Sequence, residues 1–167
     1  YHFYKKKYDK NGIYAKKGIL IKKIYNKIKK NNFFREKYPK SLDRNHFKII
    51  LDNLKNYDSN DAIRTASLIT VFSIINGLNL INKKIKLIIL TGGGRKNNFI
   101  FDNLKKILNK DSINLKNIDE YGFNGDMIEA QMFGYLAIRS FLNLPISFPA
   151  TTGCKEPTIG GKLVENF

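Results

Sequence analysis

Residues 86–108 read KLIILTGGGRKNNFIFDNLKKIL and confine the possible folds more than any other stretch. Leu87–Leu90 is a short apolar run, of the length and character of a strand buried on both faces. Gly92, Gly93 and Gly94 then turn the chain. Asn97 or Asn98 caps a helix that carries Phe99, Phe101, Leu104, Ile107 and Leu108. Residues 113–118 read as a second strand, joined to the first by a crossover. The order of strand, glycine turn, helix and strand predicts an α/β layer architecture, with short strands and several packed helices.

The flanking segments fit that plan. Residues 9–12, DKNG, are a turn signal, because Asp and Asn tolerate the left-handed region and Gly12 adopts it freely. Ile13, Leu20, Ile24 and Ile28 recur among lysines at helical spacing and predict an amphipathic helix with a solvated lysine face. Pro39 holds Tyr38 extended, and a polar loop covers residues 40–45. Residues 61–78, DAIRTASLITVFSIINGL, predict a core helix, with Asp58 or Ser59 at its start and Gly77 helping to end it. A last helix is predicted over residues 126–142, stopped by Pro145 and Pro149. The tail reads as loop with one short strand. No internal repeat or long linker interrupts the chain.

Composition bounds the function. The 167 residues suit one domain or part of a larger one, and 43% hydrophobic content excludes wholesale disorder. A single cysteine excludes an intrachain disulfide framework and a Cys-rich zinc site, and fits a reducing, cytoplasmic setting. No apolar run approaches the roughly 18 residues that span a bilayer, and no signal-peptide pattern is visible. The net charge of +16 invites a nucleic-acid partner. Against it, 25 of the 30 basic residues are lysine, and residues 1–30 hold 11 of them beside one acid. Residues 119–160 are net negative. The basic, aromatic residues 1–38 suit stacking on single strands, but a packed amphipathic helix explains them more simply. The chain opens on Tyr1, which predicts a processed protein or one lacking its upstream part.

Three clusters carry potential chemistry. The glycine triplet after a buried strand lets backbone N–H groups approach an anion, and the next helix adds its positive dipole end. This suits a nucleotide phosphate, although neither the Walker nor the dinucleotide pattern is present; a plain tight turn is the competing reading. Asp126 and Glu129 stand three apart at the head of the last helix. They suit sugar hydroxyls or a metal-bound water, or else a capping box, which the spacing alone favours. Lys40 and Arg44 suit phosphate, or ordinary surface charge. His2 and His46 lack partners for a metal or nucleophile site, and Cys154 has no evident base, so it reads as inert.

Taken together, the segments YDKNGIYAKKG, PKSLDRNHF, TGGGRKNNFI, FNGDMIEAQMFGYLAIRSFLNLPISFPATTG and PTIGG resemble the C-terminal half of the anhydro-N-acetylmuramic acid kinase family. The resemblance covers nearly the whole chain, and the combination of PKS-x-x-R, TGGG-x-x-N and GD-x-x-EA carries it. It implies the second lobe of an actin-like, sugar-kinase and Hsp70-type ATPase fold, with residues 1–167 as one partial domain. It implies ATP and magnesium as cofactors and an anhydro amino sugar as substrate. The reaction opens the anhydro ring by water attack and phosphorylates the 6-hydroxyl. Gly92, Gly93, Gly94 and Asn97 fall where the family's adenosine motif stands. Glu129 and Asp126 become substrate contacts. The family's first phosphate loop and its catalytic aspartate have no counterpart here, so no catalytic residue and no metal ligand is assigned. The expectation is a fragment, inactive alone, that partners the missing N-terminal lobe and forms a homodimer. No membrane partner is expected. A basic nucleic-acid-binding module or a non-catalytic remnant is the alternative.

Overall fold

In a computed structural model of the chain, residues 4–43, 45–162 and 164 are described. The backbone forms α1 (Ile13–Lys17), α2 (Lys22–Lys29), α3 (Lys48–Leu54), α4 (Ser59–Asn79), β1 (Leu87–Leu90), α5 (Asn98–Leu108), β2 (Asn114–Asn117), α6 (Ile128–Phe141) and α7 (Pro149–Thr152). The chain is α/β and mostly helical, as the strand, glycine turn and helix predicted.

The spine is α4. Asp58 caps it, accepting from the amides of Asn60 at 2.9 Å and Asp61 at 3.3 Å. The helix contributes apolar side chains to each of two cores. Ala62 and Ile69 join Ile24, Ile28, Phe34 and Leu54 in the first. Val71 joins Leu104, Leu108 and Leu115 in the second. Gly77 lies inside the helix, which continues past it to Asn79.

The N-terminal helix expected from the Ile13–Ile28 spacing is two helices. Gly18 breaks it at φ −79, ψ 171. A Cβ on Gly18 would lie 2.2 Å from Asn60 O, so the backbones approach more closely than a side chain allows. The extended residues that follow are pinned to α4: Ile19 N donates to Asp61 Oδ1 at 2.6 Å and Ile21 N to Thr65 Oγ1 at 2.9 Å. Tertiary hydrogen bonds thus override the local helical spacing. Ile24 and Ile28 are buried, as their period predicted.

The two strands are parallel, with Leu87 opposite Asn114 and Leu90 opposite Asn117. The crossover through α5 is as predicted. Burial of β1 on both faces is not found. Ile88 and Leu90 pack into the second core, whereas Leu87 and Ile89 are each 41% exposed. A sheet of two strands covered by helices on one side leaves alternate residues bare. The last helix, α6, begins two residues later than expected and buries no residue; Phe133, Ile138 and Phe141 are all more than half exposed. In the tail, an antiparallel bridge joins Ser147 and Thr158, and Pro149 opens α7 rather than merely ending α6.

Candidate anion-binding cleft at the glycine turn

Parallel pairing carries the ends of β1 and β2 to the same edge of the sheet, where ligands of α/β folds commonly sit. Beyond β1, Thr91 Oγ1 and Gly92 N donate to Gly125 O at 3.4 and 3.3 Å. Gly92 has φ +72, which an L side chain rarely adopts, so glycine is required there. The turn Gly93–Lys96 follows, and Asn97 caps α5 by accepting from Ile100 N at 3.2 Å. Of the two candidate caps, Asn97 is therefore the one used. A Cβ placed on Gly92, Gly93 or Gly94 would meet no atom within 4 Å, so these glycines face open space.

Arg95 holds the turn in place and is itself 5% exposed. Its Nε donates to Asp119 Oδ2 at 2.5 Å and its Nη2 to Asp119 Oδ1 at 2.9 Å, a two-pronged grip that suits the planar guanidinium. Its Nη1 donates to Gly92 O at 2.9 Å and to Asp126 Oδ1 at 2.7 Å. Lys96 Nζ donates to the other oxygen of Asp126. Gly125 N donates to Asp119 Oδ1 at 3.3 Å, and a Cβ on Gly125 would lie 2.4 Å from Arg95 Nε. Glycine at 125 is thus the space through which the arginine passes. One side chain ties together the glycine turn, the segment after β2 and the approach to α6.

The charges respond to this geometry. Hydrogen bonds from Arg95 hold the Asp119 carboxyl well below the usual carboxylate range. Arg95 first and Lys96 second lower that of Asp126. The same contacts raise Arg95, with Asp119 the largest cause. A carboxylate with a depressed folded pKa stabilises above its unfolded value, roughly 3.9, and loses that contribution as the pH falls through the folded value. The wild-type melting temperature is therefore expected to fall between roughly pH 4 and pH 2, and Asp119→Asn to flatten that fall. Thermal melts across this range test it; parallel curves for the two proteins would place the acid sensitivity elsewhere.

A cleft of about 510 Å³ opens beside the turn. Tyr8, Asp9, Lys10 and Asn11 line it from the N-terminal turn, Gly93, Gly94 and Lys96 from the glycine turn; Asn97, Ile100 and Asp126 also line it. The DKNG turn is formed as expected, with Asn11 at φ 57 and Gly12 at φ 70. Asp9 accepts from Tyr14 N at 2.9 Å and Ala15 N at 3.0 Å, which commits both its oxygens to capping α1. At the closed end the walls touch, for a Cβ on Gly12 would lie 2.4 Å from Phe99 Cβ and 2.5 Å from Asn97 Oδ1.

The structure brings Gly93, Gly94, Asn97 and Asp126 together around this cleft, while Gly92 shapes the turn from behind. Asp126 precedes α6, so it does not share a helix face with Glu129. No capping box forms there either, since Met127 is the cap and makes no side-chain bond. Glu129 is exposed in the first turn of α6, outside the cleft lining. Lys40 is occupied elsewhere, donating to Phe33 O at 2.6 Å and lying 4.4 Å from the Phe33 ring centre. Arg44 and His2 lie outside the described residues. Hydrogen bonds from hydroxyl groups, chiefly that of Thr152, hold the Cys154 thiol below its ordinary value.

Sequence reasoning missed Arg95 and Asp119. Arg95 had a signal: it is one of five arginines among 25 lysines and stands against the glycine triplet. Asp119 had none. The wall made by residues 8–11 also needed the fold.

These features define an α/β chain with a preformed, glycine-edged cleft suited to an anionic ligand. The family described as anhydro-N-acetylmuramic acid kinase matches residues 1–166, and the chain belongs to that family. The anhydro-N-acetylmuramic acid kinase of Pelagibacter ubique is 40% identical over 165 residues, covering 96% of this chain and 44% of the relative. That of Zymomonas mobilis is 34% identical over 160 residues, covering 93% and 41%. That of Roseobacter denitrificans is 33% identical over 156 residues, again covering 93% and 41%. The chain thus spans about two fifths of the length of the curated relatives it matches, and it corresponds to their C-terminal part. Nothing in these likenesses supports the nucleic-acid alternative. Among the described residues, no helix is long and apolar enough to cross a membrane.

Proposed function

We propose that this chain is the C-terminal, nucleotide- and sugar-binding lobe of an ATP-dependent kinase of peptidoglycan recycling in the cytoplasm. The lobe belongs to a two-lobed, actin-like ATPase fold. The reaction consumes anhydro-N-acetylmuramic acid, ATP and water. Water opens the anhydro ring, the γ-phosphoryl group passes to the 6-hydroxyl, and N-acetylmuramic acid 6-phosphate and ADP leave. The observation that carries this reading is the open face of Gly93 and Gly94 on a 510 Å³ cleft in a chain of this family. ATP supplies the phosphoryl group. This chain's own part is binding and orientation: exposed turn amides meet phosphate oxygens, and Asn97 holds the start of α5 against the turn.

The described residues do not fit a resident magnesium site. Both oxygens of Asp126 are taken by Arg95 and Lys96, both of Asp9 by amides, and no cluster of three metal-ligating side chains occurs among the described residues. Glu129, exposed on α6, is the proposed sugar contact. The bare apolar side of α6 is the face proposed to meet the rest of the enzyme.

Calorimetric titration of ATP into the chain tests the nucleotide reading. Binding is expected, and Gly93→Asp is expected to weaken it at least about tenfold by placing a carboxylate against the phosphates. The variant's melting temperature should stay close to wild type, because a Cβ at Gly93 meets nothing. Equal ATP affinity in both proteins would place the nucleotide elsewhere.

A further inference from the structure

Lys96 is held in the cleft by a contact that its partner does not need. Its side chain is 59% exposed and its ammonium rests on Asp126 Oδ2. Asp126 has a second cation, because its Oδ1 accepts from buried Arg95 Nη1 at 2.7 Å. If Lys96 turned away, Asp126 would remain compensated. Arg95 has no such freedom, since Asp119, Gly92 O and Asp126 all depend on it. An exposed ion pair of the Lys96 kind contributes little to folding. A phosphate in the same cleft carries more charge and more free acceptor positions than a carboxylate already shared with arginine. Lys96 also closes the turn that begins at Gly93, and it lines the same cleft as Gly93 and Gly94.

We propose that Lys96 is the residue that contacts the nucleotide's phosphates, exchanging Asp126 for phosphate when the nucleotide enters while Arg95 keeps Asp126 in place. The assignment rests on the nucleotide reading above. It makes Lys96 a ligand-binding residue and Asp126 its holder, rather than a carboxylate open to a sugar or a metal. The competing cation is Lys10 on the opposite wall. Its ammonium makes no hydrogen bond or ion pair among the described residues and must be ordered by the ligand, whereas that of Lys96 is already held by Asp126.

The test is ATP titration at two salt concentrations into wild type, Lys96→Met, Lys96→Arg and Lys10→Met, with melting temperatures of each. Lys96→Met is expected to weaken ATP binding about tenfold at low salt, to reduce its salt dependence and to leave melting unchanged. Lys96→Arg should recover most of the affinity. Unchanged affinity in Lys96→Met, a loss without altered salt dependence, or a loss confined to Lys10→Met would each overturn the assignment. Wild type that binds no ATP would instead remove the nucleotide reading, and Lys96 with it.

Discussion

Arg95→Ala is expected to lower the melting temperature on the order of 5–10 °C and to weaken ATP binding at least tenfold. The guanidinium would leave three partners behind. Asp119 would keep backbone amides alone, chiefly that of Gly125, Gly92 O would lose a donor beneath the turn, and Asp126 would rely on Lys96 alone. Breaking a pair from one side is the costly way to remove it, because the other charge stays uncompensated. Arg95→Lys should recover only part of the loss, since an ammonium cannot reach two oxygens of Asp119 and Gly92 O together. A double-mutant cycle with Gly125→Ala sharpens the test. In wild type the added Cβ collides with Arg95 and with Ile118 Cγ2, whereas in Arg95→Ala only the Ile118 contact, at 2.7 Å, is left. The Gly125→Ala penalty should therefore shrink in that background. Additive penalties would mean that the arginine does not organise the turn.

Leu104→Ala is expected to cost about 3 kcal/mol in urea unfolding. Leu104 is completely buried on α5 and packs with Val71 of α4, Leu108 and Leu115 of β2. It stands where the spine helix, the crossover helix and the sheet meet, so no single element can shift to fill the space. Exposed Leu87, on the bare face of the sheet, provides the comparison: Leu87→Ala should cost well under half as much in the isolated chain. Equal costs would mean that the sheet's bare face is covered in solution.

Much of this plan could be read from residue order. The strand, glycine turn, helix and parallel strand were legible because each carries a local signal: an apolar run, conformational freedom, a cap and a 3.6-residue period. The N-terminal break at Gly18 was not read: a glycine is a weak local signal, and the cause is the backbone of Asn60, 42 positions away. The bare faces of β1 and α6 were hidden for a related reason. An apolar run states what a segment prefers to bury, not whether anything is present to cover it. At the cleft, Gly93 and Gly94 were singled out from their own chemistry, and Asn97 from the cap it offers and from the family resemblance. Asp126 was identified as a carboxylate near the site but assigned the wrong neighbours, since Arg95 and Lys96 lie 31 and 30 residues before it. Long-range ion networks have no sequence period. They emerge only when two strands pair in register and bring their ends to one edge.

The contact at Gly12 sets how this cleft meets its ligand. Because the DKNG turn rests directly on Asn97 and Phe99, the two walls share a fixed floor and cannot swing apart like a jaw. The opening is a slot of set width. A ligand entering it need not first wait for the protein to rearrange, and ordering this part of the protein costs little on binding.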